Sequence, residues 1–428
     1  MFAPFVLLAL TSGAAFQKGP YLQNVAKDGV TVMWETTSAV GGRVTVQAPG
    51  EKPRVVEGGV ATQHEVRIEG LAPGRRYHYT VESGGQSDRG ELTTAPRADE
   101  AFAFVVFGDS RSNVDMHRSV VERVRREVPD FILGTGDMVN EGGVQADWQQ
   151  FFDIERELLK ENVLYPSLGN HDRQGPRRSA DNYKRYFATP QNSPEPERYY
   201  AFTYGNSRFL VLDSNSSSFA LTDQTAWMTR ELERAASDKA IRHIFVSMHH
   251  PPYSVSLHGG QPELREMWTP IFEKYGVDAV FSGHDHVYGR AEANQVNYFV
   301  SGGGGAPLYP RDKSPAKLDV EANVYFERTL NFLRVQVVGD FVEVTAVRDD
   351  GTLIESLSWG QRPELPLVAA YPAQPTAAAS PEVASAGAAR AHKACAVAAG
   401  GPTSDSTGLL FVAGLALAGY AARRRSRT

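Results

Sequence analysis

A small all-β domain at residues 18–97 followed by a larger α/β layered domain at residues 101–350 is the fold class this 428-residue chain predicts. Three observations predict it. Residues 18–97 hold short strand-like runs punctuated by Gly, Pro and Asp. Residues 101–350 alternate apolar runs with amphipathic segments of helical period. Most of those apolar runs end in a cluster of Asp, Asn or His.

The chain begins with an apolar stretch. Residues 1–15 run Phe-Ala-Pro-Phe-Val-Leu-Leu-Ala-Leu and close on Ser12-Gly13-Ala14-Ala15, which reads as the apolar core and cleavage region of a secretory signal peptide. The alternative is a buried N-terminal strand. In the β domain, Val30–Trp34, Arg43–Gln47, Val66–Ile68 and Tyr77–Val81 are the predicted strands, with Trp34 and Tyr79 as core aromatics on facing sheets. Its role is either to shape the substrate site or to act as a spacer.

In the α/β domain, strands are predicted at Phe102–Phe107, Asp130–Gly134, Val163–Leu168, Arg208–Leu212, His243–Met248 and Ala279–Ser282. Helices are predicted at Met116–Glu127, Gln145–Glu161, Asp223–Ala236 and Pro262–Tyr275. Phe332–Val338 and Phe341–Val347, joined by Gly339-Asp340, read as a closing hairpin. Residues 363–407 are rich in Ala, Pro and Ser and too poor in large apolar residues to build a core, as expected of a disordered linker.

The tail, residues 408–428, carries a short apolar segment before Arg423-Arg424-Arg425. It is shorter than the ~20 residues a spanning helix needs. With Cys395, the only cysteine, upstream of it, the arrangement resembles the MYXO-CTERM sorting signal of myxobacterial surface proteins. That resemblance implies export, attachment to a membrane or the cell surface, and processing or lipidation by sorting machinery at Cys395. A plain tail anchor with an incidental cysteine is the alternative. A single cysteine excludes an intrachain disulfide, and a net charge of −6 leaves no nucleic-acid-binding footprint.

The polar clusters carry the chemistry. They read Gly108-Asp109-Ser110-Arg111, Gly136-Asp137-Met138-Val139-Asn140, Gly169-Asn170-His171-Asp172, His249-His250-Pro251-Pro252-Tyr253 and Gly283-His284-Asp285-His286. Asp109 and Asp137 stand about one βαβ unit, roughly 30 residues, apart. Parallel strands put their C-terminal ends on one edge, so these clusters should converge in space. Asp, Asn and imidazole at strand ends are metal-ligand types.

In this order the blocks resemble the calcineurin-like metallophosphoesterase superfamily, in the branch of bacterial purple-acid-phosphatase-like proteins. The opening Gly19-Pro20-Tyr21-Leu22-Gln23, with Val32-Met33-Trp34, is similar to the N-terminal fibronectin type III-like domain of that branch. Leu71-Ala72-Pro73-Gly74 through Tyr79 resembles the corner of such a domain, and Val300–Tyr309 also resembles the branch. The resemblance implies two mixed sheets packed face to face and flanked by helices. It implies two divalent or trivalent metal ions (Fe, Zn or Mn). Asp137 would bridge them, Asp109 and His286 would hold the first, and Asn170, His249 and His284 the second.

The implied reaction is phosphate-ester hydrolysis, most simply of monoesters, by a metal-held hydroxide with His171 as general acid. Phosphodiesters and nucleotides are the near alternatives, with specificity set by the loops at 174–193 and 214–221. A non-catalytic surface-binding protein is the distant one. His258 would contact substrate or stand as a surface loop residue, and His250 would sit behind the ligands. Asp172, grouped with the catalytic residues, and Asp285 would orient imidazoles or backbone, with Tyr288 and Arg290 beneath the site. Two departures mark the first metal. Arg111 stands where many relatives have His, and Asn140 where purple acid phosphatases have a tyrosinate. Arg111 would either grip phosphate through its planar fork or shape its loop by a salt bridge.

Overall fold

The computed structural model describes residues 14–176, 178–215 and 221–362. The predicted signal peptide (save residues 14 and 15), linker and tail with Cys395 lie outside the described residues, as does part of the 214–221 loop. Among the described residues no helix is long and apolar enough to cross a membrane.

The N-terminal domain is a five-stranded antiparallel sheet: β1 (Phe16–Gln23), β2 (Gly29–Gln47), β3 (Arg54–Glu69), β4 (Arg76–Ser83) and β5 (Gln86–Thr93). Such strands are compatible with a β-sandwich. The two strands predicted at 30–34 and 43–47 are one strand, β2. Register shifts between Glu35 and Val40, and between Gly41 and Arg43, bend it instead of ending it. Its first half pairs with β1 and its second with β4. Trp34 and Tyr79 are both fully buried, but in one continuous sheet.

The larger domain has four layers. One sheet has the order β18-β17-β16-β6-β7-β8. Its strands are β6 (Phe102–Phe107), β7 (Phe131–Gly134), β8 (Val163–Pro166), β16 (Asn331–Val338), β17 (Phe341–Arg348) and β18 (Leu353–Trp359). The other has the order β15-β13-β14-β12-β11-β10-β9. Those strands are β9 (Tyr200–Tyr204), β10 (Ser207–Leu212), β11 (His243–Met248), β12 (Ala279–Ser282), β13 (Tyr288–Ala293), β14 (Val296–Ser301) and β15 (Asn323–Glu327). In each sheet the central strands are parallel: β6-β7-β8 in one, β10-β11-β12-β14 in the other. The domain runs past its expected end at residue 350, because β17 leaves an open edge that β18 pairs.

Alternation along each strand builds the layers. Phe104 and Phe131 point inward from the first sheet, and Phe209, Phe245 and Phe281 from the second. Phe104 meets Phe209 at 5.2 Å and Phe281 at 6.0 Å between ring centroids. The opposite faces of β6, β7 and β8 bury Val105, Ile132 and Leu164 under α1 (Val114–Arg126) and α2 (Gln145–Leu159). Those of β10, β11 and β12 bury Leu210, Val246 and Val280 under α4 (Leu221–Ser237) and α5 (Pro262–Tyr275). Strands buried on both faces are continuously apolar, which is why their sequences read so clearly.

The N-terminal domain docks on α2, β8 and the short helix α3 (Asp181–Tyr186). Tyr21 packs on Phe152 at 4.8 Å and donates to the Tyr186 carbonyl. Tyr79 donates to the Lys160 carbonyl, and Tyr165 to that of Val25. Lys18, Glu35 and Arg185 form an ion triad across the seam.

Candidate metal centre

The C-terminal ends of β6, β7 and β8 from one sheet, and β11 and β12 from the other, meet at one edge. The hydroxyls of Ser167 and Ser247 join the two sheets just below it at 2.8 Å. All five polar clusters lie there. Three residues leave their strands with φ in the left-handed region: Asp109 (56°), Asp137 (54°) and His284 (68°). Such backbone costs of order 1 kcal/mol or more per residue and collects at functional sites. The motif glycines give the carboxylates room. A Cβ on Gly283 would stand 2.3 Å from Asp109 Oδ2, and one on Gly169 2.2 Å from Asp137 Oδ1.

One ligand set gathers around Asn170. His249 is fully buried and donates from Nδ1 to the Thr135 carbonyl (2.8 Å). Its Nε2 lone pair therefore faces Asn170 Oδ1 at 3.0 Å and Asp137 Oδ1 at 3.4 Å. His284 Nδ1 lies 3.1 Å from the same Asn170 oxygen. His249 Nε2, Asn170 Oδ1 and Asp137 Oδ1 converge as acceptors with His284 Nδ1 beside them, an arrangement that a cation resolves, so these residues fit a metal.

The second set is Asp109, Asp137 and His286. His286 donates from Nδ1 to the Pro307 carbonyl (2.7 Å), which turns Nε2 toward Asp109 Oδ1 at 3.5 Å. Ligand atoms of Asp109, Asp137 and His249 all lie within 4.8 Å of one another, so the two sets share a border at Asp137.

Burial holds the imidazoles in the neutral form that binds metal. His286 is pushed down to about 4 mainly by burial, and His250 to about 3 by burial and then His249. His284 and His249 are lowered by the same cause. Burial, then Asp137, raises Asp109 well above the carboxylate range. Burial also works to raise Asp137, but His249, His171 and Arg111 outweigh it and hold Asp137 low. With buried His249 held neutral, the permanent charge of Arg111 persists as a partner.

The remaining expected residues fall as follows. His171 sits half-buried at the rim, its N–H donating to Asp137 Oδ1 (2.9 Å) and its Nδ1 bonded to the Asn140 carbonyl (2.7 Å). His258 is solvent-facing, with its ring on His284 at 4.5 Å. His250 bonds Ser214 through Nδ1 (2.9 Å) and also brings a ligand atom into the cluster with His249 and His284.

Asp172 is fully buried and accepts the N–H groups of Asp137, Met138, Val139 and Gly169, so it positions the backbone of the loop. Burial, then Asp137, raises it to about 7, and the amides oppose the rise. Asp285 likewise accepts from the Ser254 hydroxyl and the His258 backbone N–H. Tyr288 and Arg290 both bond Glu355 and so tie β13 to β18 instead of underlying the site.

Arg111 points inward. Its Nε lies 3.3 Å from Asp137 Oδ2, its Nη2 3.5 Å from His286 Nε2, and its Nη1 donates to Asn140 Oδ1 (3.4 Å). Tyr309 is a site residue to which sequence reasoning gave no role. Its ring stacks on His286 at 4.0 Å and 18° and meets His258 edge-on at 5.1 Å. The signal available was its place at the end of the Gly-rich run after β14.

Two face-to-face sheets with this cluster at their shared edge define the calcineurin-like phosphoesterase class. Residues 102–288 match that family's model, and this part of the chain is a calcineurin-like phosphoesterase domain. An uncharacterized Mycobacterium tuberculosis protein is 28% identical over 335 residues, covering 65% of this chain and 63% of the relative. A purple acid phosphatase of Glycine max is 25% identical over 312 residues, covering 63% of this chain and 66% of the relative. The chain thus spans a little under two thirds of either relative. A purple acid phosphatase from yellow lupin (Lupinus luteus) seeds superposes with a TM-score of 0.68 at 16% identity, over 80% of this chain and 74% of that one. PhoD gives 0.60 at 12% identity, over 83% and 94%. These two likenesses concern the fold.

Proposed function

We propose that this chain is a metal-dependent phosphoric ester hydrolase with a dinuclear centre, acting on phosphate monoesters. One observation carries the reading: six ligand-type side chains from five strand ends converge on one edge, with His171 at their rim. Relatives named purple acid phosphatase and phosphoenolpyruvate phosphatase support the monoester assignment.

Asp109, Asp137 and His286 would hold one metal, and Asn170, His249, His284 and Asp137 the other. When bound, such a pair offsets the charge of the phosphate oxygens and lowers the pKa of water toward neutrality. Asn170 suits its place because an amide contributes oxygen without adding negative charge. The His171 backbone N–H bond to Asp137 anchors the loop that carries the ring. The bond from Nδ1 to the Asn140 carbonyl leaves Nε2 as the atom that gives a proton to the leaving alkoxide. His258 and Tyr309 form the wall on the His284 and His286 side, where the ester group lies.

The test is to purify the full chain, measure bound metals, and assay monoesters and diesters across pH after supplying Mn, Zn or Fe. Monoester turnover with bound metal is expected. A metal-free protein inactive on every ester overturns the reading, and diester turnover alone moves the substrate class.

We also propose export, from the residue 1–15 segment, and surface attachment through the 408–428 tail with processing at Cys395. Mass spectrometry of mature protein should find residues 1–15 removed and a modified or cleaved C-terminus. An intact Thr428 on mature protein overturns the tail assignment.

A further inference from the structure

The two halves of the centre differ in one respect that neither ligand count nor motif order conveys. Asp137, which belongs to both halves, bears Arg111 in either case, but Asn170, His249 and His284 have no cationic partner in the contacts above. The Asp109, Asp137 and His286 half carries a guanidinium on its ligand atoms. Arg111 Nε lies 3.3 Å from Asp137 Oδ2, and Nη2 lies 3.5 Å from His286 Nε2, the lone-pair nitrogen. The side chain is only 12% exposed, so water screens it poorly. Its third donor has a separate rest. Nη1 reaches Asn140 Oδ1 (3.4 Å) and Ser112 Oγ (3.3 Å), and Ser112 Oγ itself donates to Asn140 Oδ1 (2.9 Å). Arg111 thus has one pair of partners inside the ligand set and another outside it.

Arginine cannot shed its charge in this range of pH. A metal entering between Asp109 and His286 must therefore meet a fixed like charge at close range or push the guanidinium out toward Asn140 and Ser112. Either way its affinity falls relative to the other half. We propose that Arg111 makes the two metal positions unequal. The position of Asn170, His249, His284 and Asp137 would retain its metal, while that of Asp109, Asp137 and His286 would take its metal weakly and exchangeably. This inference rests on the dinuclear reading proposed above.

Metal content tests it without reference to activity. The full chain is loaded with Mn, desalted into metal-free buffer, and counted by elemental analysis. Wild type should retain close to one Mn per chain and take up a second only when Mn is resupplied. Arg111→Ala and Arg111→His should bind that second Mn at least ~10-fold more tightly, because a fixed like charge has gone. Arg111→Lys, which keeps the charge, should stay near one. His286→Ala should keep the single tight metal and lose the weak one, which assigns the positions. Two Mn per chain retained by wild type, or an unchanged weak affinity in both Arg111→Ala and Arg111→His, overturns the inference and leaves the hydrolase reading standing. No Mn bound by wild type at any concentration overturns both. Circular dichroism of each variant establishes that the fold is intact before metal is counted.

Discussion

Replacing Asp172 by Asn tests whether one buried carboxylate holds the ligand loops in place. The two side chains have nearly the same volume, so packing is preserved. Oδ2 accepts the N–H groups of Asp137 (2.9 Å) and Gly169 (2.8 Å), and Oδ1 those of Met138 (2.9 Å) and Val139 (3.3 Å). An amide can satisfy only one of these pairs. Whichever way it turns, its NH2 group faces two buried N–H donors. Bonds to a charged acceptor contribute about 1.5–3 kcal/mol each, and a buried donor left unpaired costs about 1–3 kcal/mol. The expected loss is therefore about 3–5 kcal/mol, a large share of the ~5–15 kcal/mol that ordinarily separates folded from unfolded protein. Urea unfolding followed by tryptophan fluorescence reads it. The measurement belongs at pH 8, above the value of about 7 to which burial raises this carboxyl, where wild type holds the ionised form. The same variant should bind metal less well, because Asp137 owes its left-handed backbone to the clamp. An unfolding midpoint within ~0.5 kcal/mol of wild type, the range of an ordinary surface substitution, would refute the clamp.

Three further outcomes are expected. His171→Ala should slow turnover about 10²–10⁴-fold, the range of a general acid, with metal content unchanged by elemental analysis; loss of metal would instead make His171 a ligand. Burial lifts Asp130 from an ordinary 3.8 up to about 6, against the Ala103 N–H and Arg76, so wild-type stability should fall as pH rises from 4 to 6. The full cost would be ~3 kcal/mol, and about 1–2 kcal/mol once water reaching this half-buried carboxyl is allowed for. Asp130→Asn should remove that slope in urea midpoints at pH 4, 6 and 8, and parallel pH curves would contradict it. Phe104→Ala should cost about 3–5 kcal/mol by the same unfolding assay, because its ring touches Phe131, Phe209, Phe245 and Phe281 between the sheets.

Elements buried on both faces were the most legible. β6, β11 and β12 begin and end where their apolar runs do, because a strand inside the layers has no polar face to blur the pattern. The edge strands β5, β15 and β18 are not legible in the sequence. Their alternation is weak and their pairing depends on a neighbour distant in sequence. The continuity of β2 is hidden, since Gly41-Gly42 signals a break whether or not the ladder resumes beyond it.

By itself the sequence placed polar clusters at the ends of apolar runs, and the resemblance to metallophosphoesterases implied Asp109, Asp137, Asn170, His249, His284 and His286 among them as ligands. The sequence determined the layered architecture too, through the period of those runs. Only the tertiary structure decided that Asp172 and Asp285 serve backbone amides, that Tyr309 joins the wall of the site, and that Arg111 turns onto Asp137 and His286. Periodicity reports how an element faces its core. The partner of a polar side chain at a strand end is set by which loops from another sheet arrive beside it, and in a two-sheet domain those loops are far away in sequence.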